Sequence, residues 1–247
     1  MLLKNLIKTS NQKFQKIEIK DLSLDSRKIK KGDLFFAIKG HKTDGKRFIN
    51  EAIKNGANAV ICSKNIDLNN TKTPVIKVSN IKKVLTTACV IFFKKKPKNI
   101  IAVTGTNGKS SVADFFHQIL SLNKIPSASI GTLGVKKRNI VKKLNLTSPD
   151  IISLHRELEN IKKDKIENVI IEASSHGLEQ GRLEGVNFKA GIFTNFSHDH
   201  LDYHKSMKNY FNSKMILFDK LLNKNKYLIT DANIIEFLKL KSISKKR

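Results

Sequence analysis

Cysteine is nearly absent from this chain, with two in 247 residues. Cys62 ends "NAVIC" and Cys89 lies in "VLTTACVIFF", each far from any ligand-spaced partner, so a disulfide framework is excluded and both read as small buried hydrophobes. Long apolar runs are missing too. None approaches the roughly 18 residues needed to cross a membrane. The amino-terminal "MLLKNLIKTSNQK" is broken by Lys4 and Lys8 and has no small-residue cleavage site, so a cytoplasmic protein without membrane insertion is expected. Acidic residues are scarce, 21 against 47 basic ones, giving a net charge of +26. Arginine is also scarce, and the lysines are dense only in "FFKKKPK" and the tail "KSISKKR". Nucleic-acid readers add arginine forks or stacked aromatics, and no such interleaving is present. The charge therefore reads as solvated lysine faces that favour anionic small molecules, with salt-dependent nucleic-acid binding as the competing expectation.

With 40% hydrophobic and 28% charged residues, the composition is that of an ordinary globular protein of one large or two modest domains. The first ninety-odd residues alternate strand-like runs ("DLFFAI", "NAVIC", "PVIKV") with amphipathic segments ("RFINEAIKNG", "IKKVLTTACVIFF"), and Gly56 is placed to close the first of these helices. That pattern predicts a small α/β domain over residues 1–96. Lysines and Pro97 then interrupt it, and a second domain is expected over 97–247. Its strands "NIIAVT", "SASIG", "NVIIEA", "AGIFTN" and "KYLIT" are separated mainly by the helical segments "KSSVADFFHQILSLN", "DIISLHRELENIKK" and "SMKNYFNSKMILFDKLL". Ile- and Val-rich strands without alternation predict a mostly parallel sheet covered on both faces. The final "DANIIEFLKLKSISKKR" reads as one more helix fading into a basic tail, where the series stops as if a further domain were missing.

The stretch "VTGTNGKSS", residues 103–111, joins the first of these strands to its helix. Unpaired amides at a helix start attract anions, and glycines let the backbone approach phosphates. Gly105 and Gly108 supply the turn, Lys109 is placed for the outer phosphates and Ser110 for magnesium. Val103 stands where the common phosphate-loop pattern has its first glycine, yet an ATP or GTP site is the better reading. An acid at a neighbouring strand end should hold the metal, and Glu172 of "NVIIEASSHG" fits; the alternative is that it caps the next segment. "NFSHDHLDYH" groups His198, Asp199, His200, Asp202 and His204, either as metal-ligand candidates or as surface histidines on a loop. Tyr203 occupies the place where an H-x-H-x-D-H metallohydrolase pattern needs its last histidine. In the next helix Tyr210, Phe211, Lys214, Leu217, Phe218 and Leu221 recur at helical spacing. Lys214 on that apolar stripe either snorkels outward or carries a chemically used amine of depressed pKa.

Together "LDSRKIKKGDLFFAIKGHKTDGKRFI" (24–49), "VTGTNGKSS" (103–111), "IEASSHGLEQGRLEG" (171–185) and "FTNFSHDHLDYHKSMKNYFNSK" (193–214) resemble the Mur ligases, ATP-dependent amide-forming enzymes of peptidoglycan precursor synthesis. The likeness is to the branch adding the third residue, diaminopimelate or lysine, to UDP-N-acetylmuramoyl-L-alanyl-D-glutamate. The loop alone would also fit folylpolyglutamate synthases. In that family the missing first glycine is normal, and threonine usually stands where this chain has Ser110. The resemblance implies ATP on Gly105, Thr106, Asn107, Gly108, Lys109, Ser110 and Ser111. It implies Glu172 and His200, with Ser110, as magnesium ligands, and Lys214 carbamylated by carbon dioxide to a ligating anion. Leu24, Ser26, His41, Lys42 and Thr43 would sit at the uridine diphosphate. Thr147, Ser148, Ser174, Gln180 and Arg182 would hold the muramoyl dipeptide, Arg182 as a carboxylate or phosphate fork. The implied reaction moves the ATP γ-phosphoryl group to the substrate carboxylate, giving an acyl phosphate that the incoming amine attacks. A monomer is expected. Family members continue into a third domain that closes over ATP and chooses the amino acid; this sequence ends at Arg247, so a fragment that binds nucleotide without ligating is the alternative.

Overall fold

Short β-branched runs bounded by turn residues become strands because their side chains fit a pleated, buried surface. The computed structural model describes residues 1–7, 12–40, 43–64, 72–138, 140–143 and 146–245, arranged as two compact units, Met1–Lys94 and Lys95–Arg247. The predicted sites His41 and Lys42 lie outside the described residues.

The first unit begins with the short helices α1 (Leu3–Leu6) and α2 (Gln12–Gln15). Strands β1 (Leu22–Ser23), β2 (Leu34–Phe36), β3 (Ala59–Ser63) and β4 (Val75–Val78) form a parallel sheet in that order. Helix α3 (Ile49–Lys54) follows β2, and Gly56, at φ +103°, ends its turn by donating to Ile53 O. Helix α4 (Ile81–Phe92) is N-capped by Asn80, whose side chain accepts from Lys83 N. Phe35, Ile49, Ala52, Val60 and Cys62 share one core cluster, and both cysteines are fully buried and unbridged.

The second unit is a seven-stranded sheet. Its strands are β5 (Asn99–Thr104), β6 (Ser127–Gly131), β7 (Gly134–Lys137), β8 (Ile140–Lys142), β9 (Asn168–Glu172), β10 (Ala190–Phe193) and β11 (Tyr227–Thr230). The spatial order is β11-β10-β5-β9-β6-β7-β8, parallel from β11 to β6, with β7 and β8 added antiparallel. That antiparallel pair was not legible in "GVKKRNIVKK", whose lysines leave no apolar run. In the structure those lysines pair with acids: Lys136 with Asp114 at 2.5 Å, Lys137 with Asp164 at 2.5 Å, and Lys142 with Glu157. The helices are α5 (Lys109–Leu122), α6 (Ile151–Lys163, capped by Asp150), α7 (Ser175–Glu179), α8 (Leu201–His204), α9 (Met207–Ile216) and α10 (Phe237–Lys245). The predicted long helix from Ser206 runs as α9 and then loosens into a π-helical turn at Leu217–Leu221.

One sheet face carries the main core, with Leu154, Leu158, Ile171, Phe193, Phe211, Leu217 and Phe218. On the other face α5 packs through Ala113, Val112 and Phe116 onto Val103 and Ile170. Pairing β5 between β9 and β10 sets Val103 beside Glu172 and Thr104 beside Phe193, so three strand ends meet at the loop that starts α5. No helix among the described residues is long and apolar enough to cross a membrane.

Candidate nucleotide site

The strand-to-helix loop after β5 is held in shape by contacts within the chain. Gly105 sits at φ +146°, and a Cβ built there would lie 1.9 Å from Thr194 Oγ1, so only glycine fits. The chain following β10 braces the loop. Thr106 N donates to Asn195 O at 2.9 Å, Asn107 N to Asn195 Oδ1 at 2.9 Å, and Thr194 Oγ1 to Asn107 O at 2.6 Å. Gly108, in the left-handed region, then starts α5, whose first amides have no partner within the helix and face any bound anion.

Lys109 folds back over this loop, donating to Thr106 O at 2.7 Å and Gly105 O at 3.1 Å. Burial pulls its pKa below the usual lysine value, while Glu172 and Asp199 support the charge. One residue on, Ser110 Oγ donates to Glu172 Oε2 at 2.9 Å. Glu172 is 2% exposed and also accepts from Thr132 N at 3.0 Å and Thr132 Oγ1 at 3.2 Å. Its role is thus not to cap the following segment: the cap of α7 is Ser174, which accepts from Gly177 N at 3.1 Å. The carboxylate is set in place by close packing. A Cβ at Gly131 would lie 2.0 Å from Glu172 Oε1, and Gly131→Ala is expected to displace the carboxylate and cost about 1–3 kcal/mol in a denaturant melt. An unchanged midpoint would show that the strand end yields freely.

Lys214 does not snorkel. It is 1% exposed, and its Nζ donates to Gly105 O at 2.6 Å while lying 4.2 Å from the centre of the Tyr210 ring. Burial first, then the neighbouring Lys109 cation, bring its pKa to about 7. Both lysines thus converge on one loop carbonyl, that of Gly105. The stripe expected around Lys214 is buried at Tyr210, Phe211, Leu217 and Phe218, with Leu221 half-buried.

A cavity of about 330 Å³ opens over the loop, lined by Thr106, Asn107, Gly108, Lys109, Ser110 and Ser111 on one side. Thr132, Thr147, Ser174, Ser175, His200, Tyr210 and Lys214 complete it. The predicted ATP residues from Thr106 to Ser111, together with His200 and Lys214, are therefore brought together, and Glu172 joins through Ser110. Among the described residues no three His, Cys, Asp or Glu side chains converge as a ready metal cage. What the site offers a metal is hard oxygen, the hydroxyl of Ser110 beside the Glu172 carboxylate, a donor pair that fits magnesium. Of the histidines, His200 is exposed at φ +51°, whereas His204 is buried, against the reading of the whole cluster as surface side chains.

Of the predicted dipeptide residues, Thr147 and Ser174 line the cavity, and Ser148, Arg182 and Gln180 are linked to Ser174 by hydrogen bonds. Ser148 Oγ donates to Glu172 O at 2.9 Å and meets Ser174 Oγ at 3.0 Å, and Thr147 Oγ1 lies 3.0 Å from Thr132 Oγ1. The Arg182 fork is turned inward, holding Gln180 Oε1 through Nε at 3.0 Å and Ser148 O through Nη1 at 2.7 Å. In the first unit Ser26 is buried and gives its hydroxyl to Glu51 Oε2, Leu24 is half-buried and Thr43 is exposed. Sequence reading missed Thr132, Thr194, Asn195 and Ser175. Thr132 follows the carboxyl end of β6, where parallel sheets place ligands, and that position was the available signal.

A family model described as the Mur ligase middle domain matches residues 103–246, and one described as the Mur ligase family catalytic domain matches residues 18–105. The UDP-N-acetylmuramoyl-L-alanyl-D-glutamate--2,6-diaminopimelate ligase of Rickettsia prowazekii is 45% identical over 236 residues, covering 93% of this chain and 48% of the relative. The enzyme of the same name from Bradyrhizobium diazoefficiens is 45% identical over 206 residues, covering 83% and 42%. A solved structure of a UDP-N-acetylmuramoyl-L-alanyl-D-glutamate--2,6-diaminopimelate ligase superposes with a TM-score of 0.85 at 26% identity, over 100% of this chain and 50% of that one. The MurF ligase of Thermotoga maritima shares the fold, with a TM-score of 0.59 at 18% identity over 92% of this chain and 48% of that one. The chain spans about half the length of the curated relatives it matches. With a phosphate loop and a buried lysine lining one cavity, a strand-end acid bonded to the loop's Ser110, and the middle-domain model matched over residues 103–246, the chain belongs to the Mur ligase family.

Proposed function

We propose that this chain carries the substrate- and ATP-binding parts of a ligase that joins diaminopimelate to UDP-N-acetylmuramoyl-L-alanyl-D-glutamate in the cytoplasm, acting as a monomer. The observation that carries the reading is the contact of Ser110 Oγ with Glu172 Oε2 at 2.9 Å beside Lys109, at the amino end of α5. Phosphoryl transfer is mainly positioning and charge stabilisation, and this corner supplies both. The α5 amides and Lys109 would take the ATP phosphates, with Gly105, Thr106, Asn107, Gly108 and Ser111 shaping the loop. Ser110 and Glu172 would hold magnesium, with His200 and Lys214, which also line the cavity, completing the set. Bound there, the metal would neutralise phosphate charge as the γ-phosphoryl group passes to the substrate carboxylate.

Lys214 supports a further part of the reading. A neutral amine reacts with carbon dioxide and an ammonium does not, and a pKa of about 7 leaves much of Lys214 neutral near neutral pH. The carbamate would replace a buried cation next to Lys109 with an anion. We assign residues 1–96, with Leu24, Ser26, His41, Lys42 and Thr43, to uridine diphosphate, and residues 97–247 to ATP. Thr147, Ser148, Ser174, Gln180 and Arg182 are assigned to the muramoyl dipeptide. Dipeptide binding then requires the Arg182 fork, now on Gln180 and Ser148 O, to share its donors with the ligand carboxylate.

The test is calorimetry with magnesium-ATP and with UDP-muramoyl dipeptide, followed by coupled phosphate release with diaminopimelate. Binding of both ligands and amine-dependent turnover are expected. Binding without turnover would assign the chain to nucleotide and UDP-sugar binding alone, and no heat with either ligand would sink the proposal.

A further inference from the structure

Ser175, His204 and Glu179 stand in a line that ends in the nucleotide cavity: a hydrogen bond joins the serine to the imidazole, and the carboxylate contacts the other ring nitrogen. Ser175 is the first residue of α7, is 2% exposed, and lines the cavity beside Ser174. His204 Nε2 lies 3.0 Å from Ser175 Oγ, and its Nδ1 lies 3.2 Å from Glu179 Oε2. The Glu179 side chain is 46% exposed, so the far end of the line reaches water. Between these ends the imidazole is packed by Tyr203, Tyr210 and His176, with ring centres at 4.8, 5.1 and 5.3 Å.

The chemistry fixes which atom holds each proton. An ionised carboxylate only accepts, so the single proton of a neutral imidazole belongs on Nδ1, facing Glu179. Nε2 is then an acceptor and must receive the Ser175 hydroxyl hydrogen. Burial lowers the His204 pKa, while the Glu179 charge acts in the opposite direction. Ser175 is left with lone pairs for the cavity, and His204 Nε2 behind it can take the serine's own hydrogen. The serine is thereby set up to accept a proton without keeping one.

Resting on the ligase reading above, we propose that Ser175 and His204 take the proton that the attacking amine must lose. As the nitrogen bonds to the acyl carbon, its surplus proton passes to Ser175 Oγ while the serine's own hydrogen passes to His204 Nε2. The resulting imidazolium keeps Nδ1–H on Glu179, whose charge stabilises it. When the carbon–oxygen bond to phosphate breaks, the imidazolium returns the proton through Ser175 to the departing phosphate, and the line is reset. Ser175 is the group that meets substrate; His204 and Glu179 are positioning residues behind it.

The test uses the full chain and its Ser175→Ala, Ser175→Thr, His204→Gln and Glu179→Gln variants, in amine-dependent phosphate release and in nitrogen-15 NMR of the histidine rings. We expect a neutral His204 protonated at Nδ1. We also expect kcat to fall about 100-fold in His204→Gln and in Ser175→Ala, with KM for ATP unchanged and partial recovery in Ser175→Thr. Glu179→Gln, at an exposed position, keeps the fold and loses less. A His204 ring protonated at Nε2, or a wild-type kcat in both Ser175→Ala and His204→Gln, overturns the relay while leaving the ligase reading intact. A wild-type chain that releases no phosphate overturns the ligase reading and the relay with it.

Discussion

Lys109→Ala is expected to weaken magnesium-ATP binding about 100-fold, because it removes a charged donor from the point where phosphate charge collects. Lys109 also straps its own loop through Gly105 O and Thr106 O, so part of the loss is shape. The two contributions separate by calorimetry. Loss of charge alone leaves the backbone braced by Thr194 and Asn195, which contact the loop from outside it. The Lys109→Arg variant retains charge with a different reach and should therefore bind better than Lys109→Ala. The fold itself should persist, since α5 is held by Ala113 and Phe116 against Val103 and Ile170 rather than by Lys109. Wild-type affinity in Lys109→Ala would remove the phosphate loop from the proposed mechanism.

The second large effect is at Lys214, and pH gives its signature. An unfolded lysine titrates near its ordinary 10.5, whereas burial and Lys109 bring the folded amine to about 7. Between these values the unfolded chain binds the extra proton, so stability rises with pH across the window. Below about 7 both states are protonated and the folded chain carries the full cost of a buried ammonium. In carbon-dioxide-free buffer, denaturant melts should therefore show wild-type stability climbing from neutral to alkaline pH. Lys214→Met should flatten that climb. A wild-type slope retained in Lys214→Met would show that other groups govern it.

The same residue carries a functional expectation. Lys214→Ala should lower magnesium-dependent phosphate release about 100-fold, on the scale of one lost charge-stabilising group. Added bicarbonate should not restore it, because no amine remains to react. A short carboxylic acid should restore part of it by filling the vacated anion position. Full release by Lys214→Ala in carbon-dioxide-free buffer would refute the carbamate and leave the lysine as a loop brace on Gly105 O.

The sequence by itself determined the elements whose signals are local. The apolar strand Asn99–Thr104, the glycine turn and the helix from Lys109 follow from short-range sterics and periodicity, as does Gly56 after α3. The family motifs added names for the site, and the cavity unites most of those in the second unit. Tertiary structure alone decided what depends on partners distant in the chain. Glu172 is fixed by Ser110 and Thr132, 62 and 40 residues away, and nothing in "NVIIEA" foretells either contact. Lys214 could snorkel or be buried on the same helical stripe. The choice fell to Gly105, 109 residues earlier, whose carbonyl offers the ammonium a buried acceptor. His204 read as a metal-ligand candidate or a surface histidine, and Ser175, 29 residues away, carried no signal until α7 and α8 brought the two within a hydrogen bond. The physical reason is common to all three. Local sequence sets backbone conformation, but the charge state and orientation of a buried polar group are set by whichever partner the folded chain leaves within about 3 Å of it.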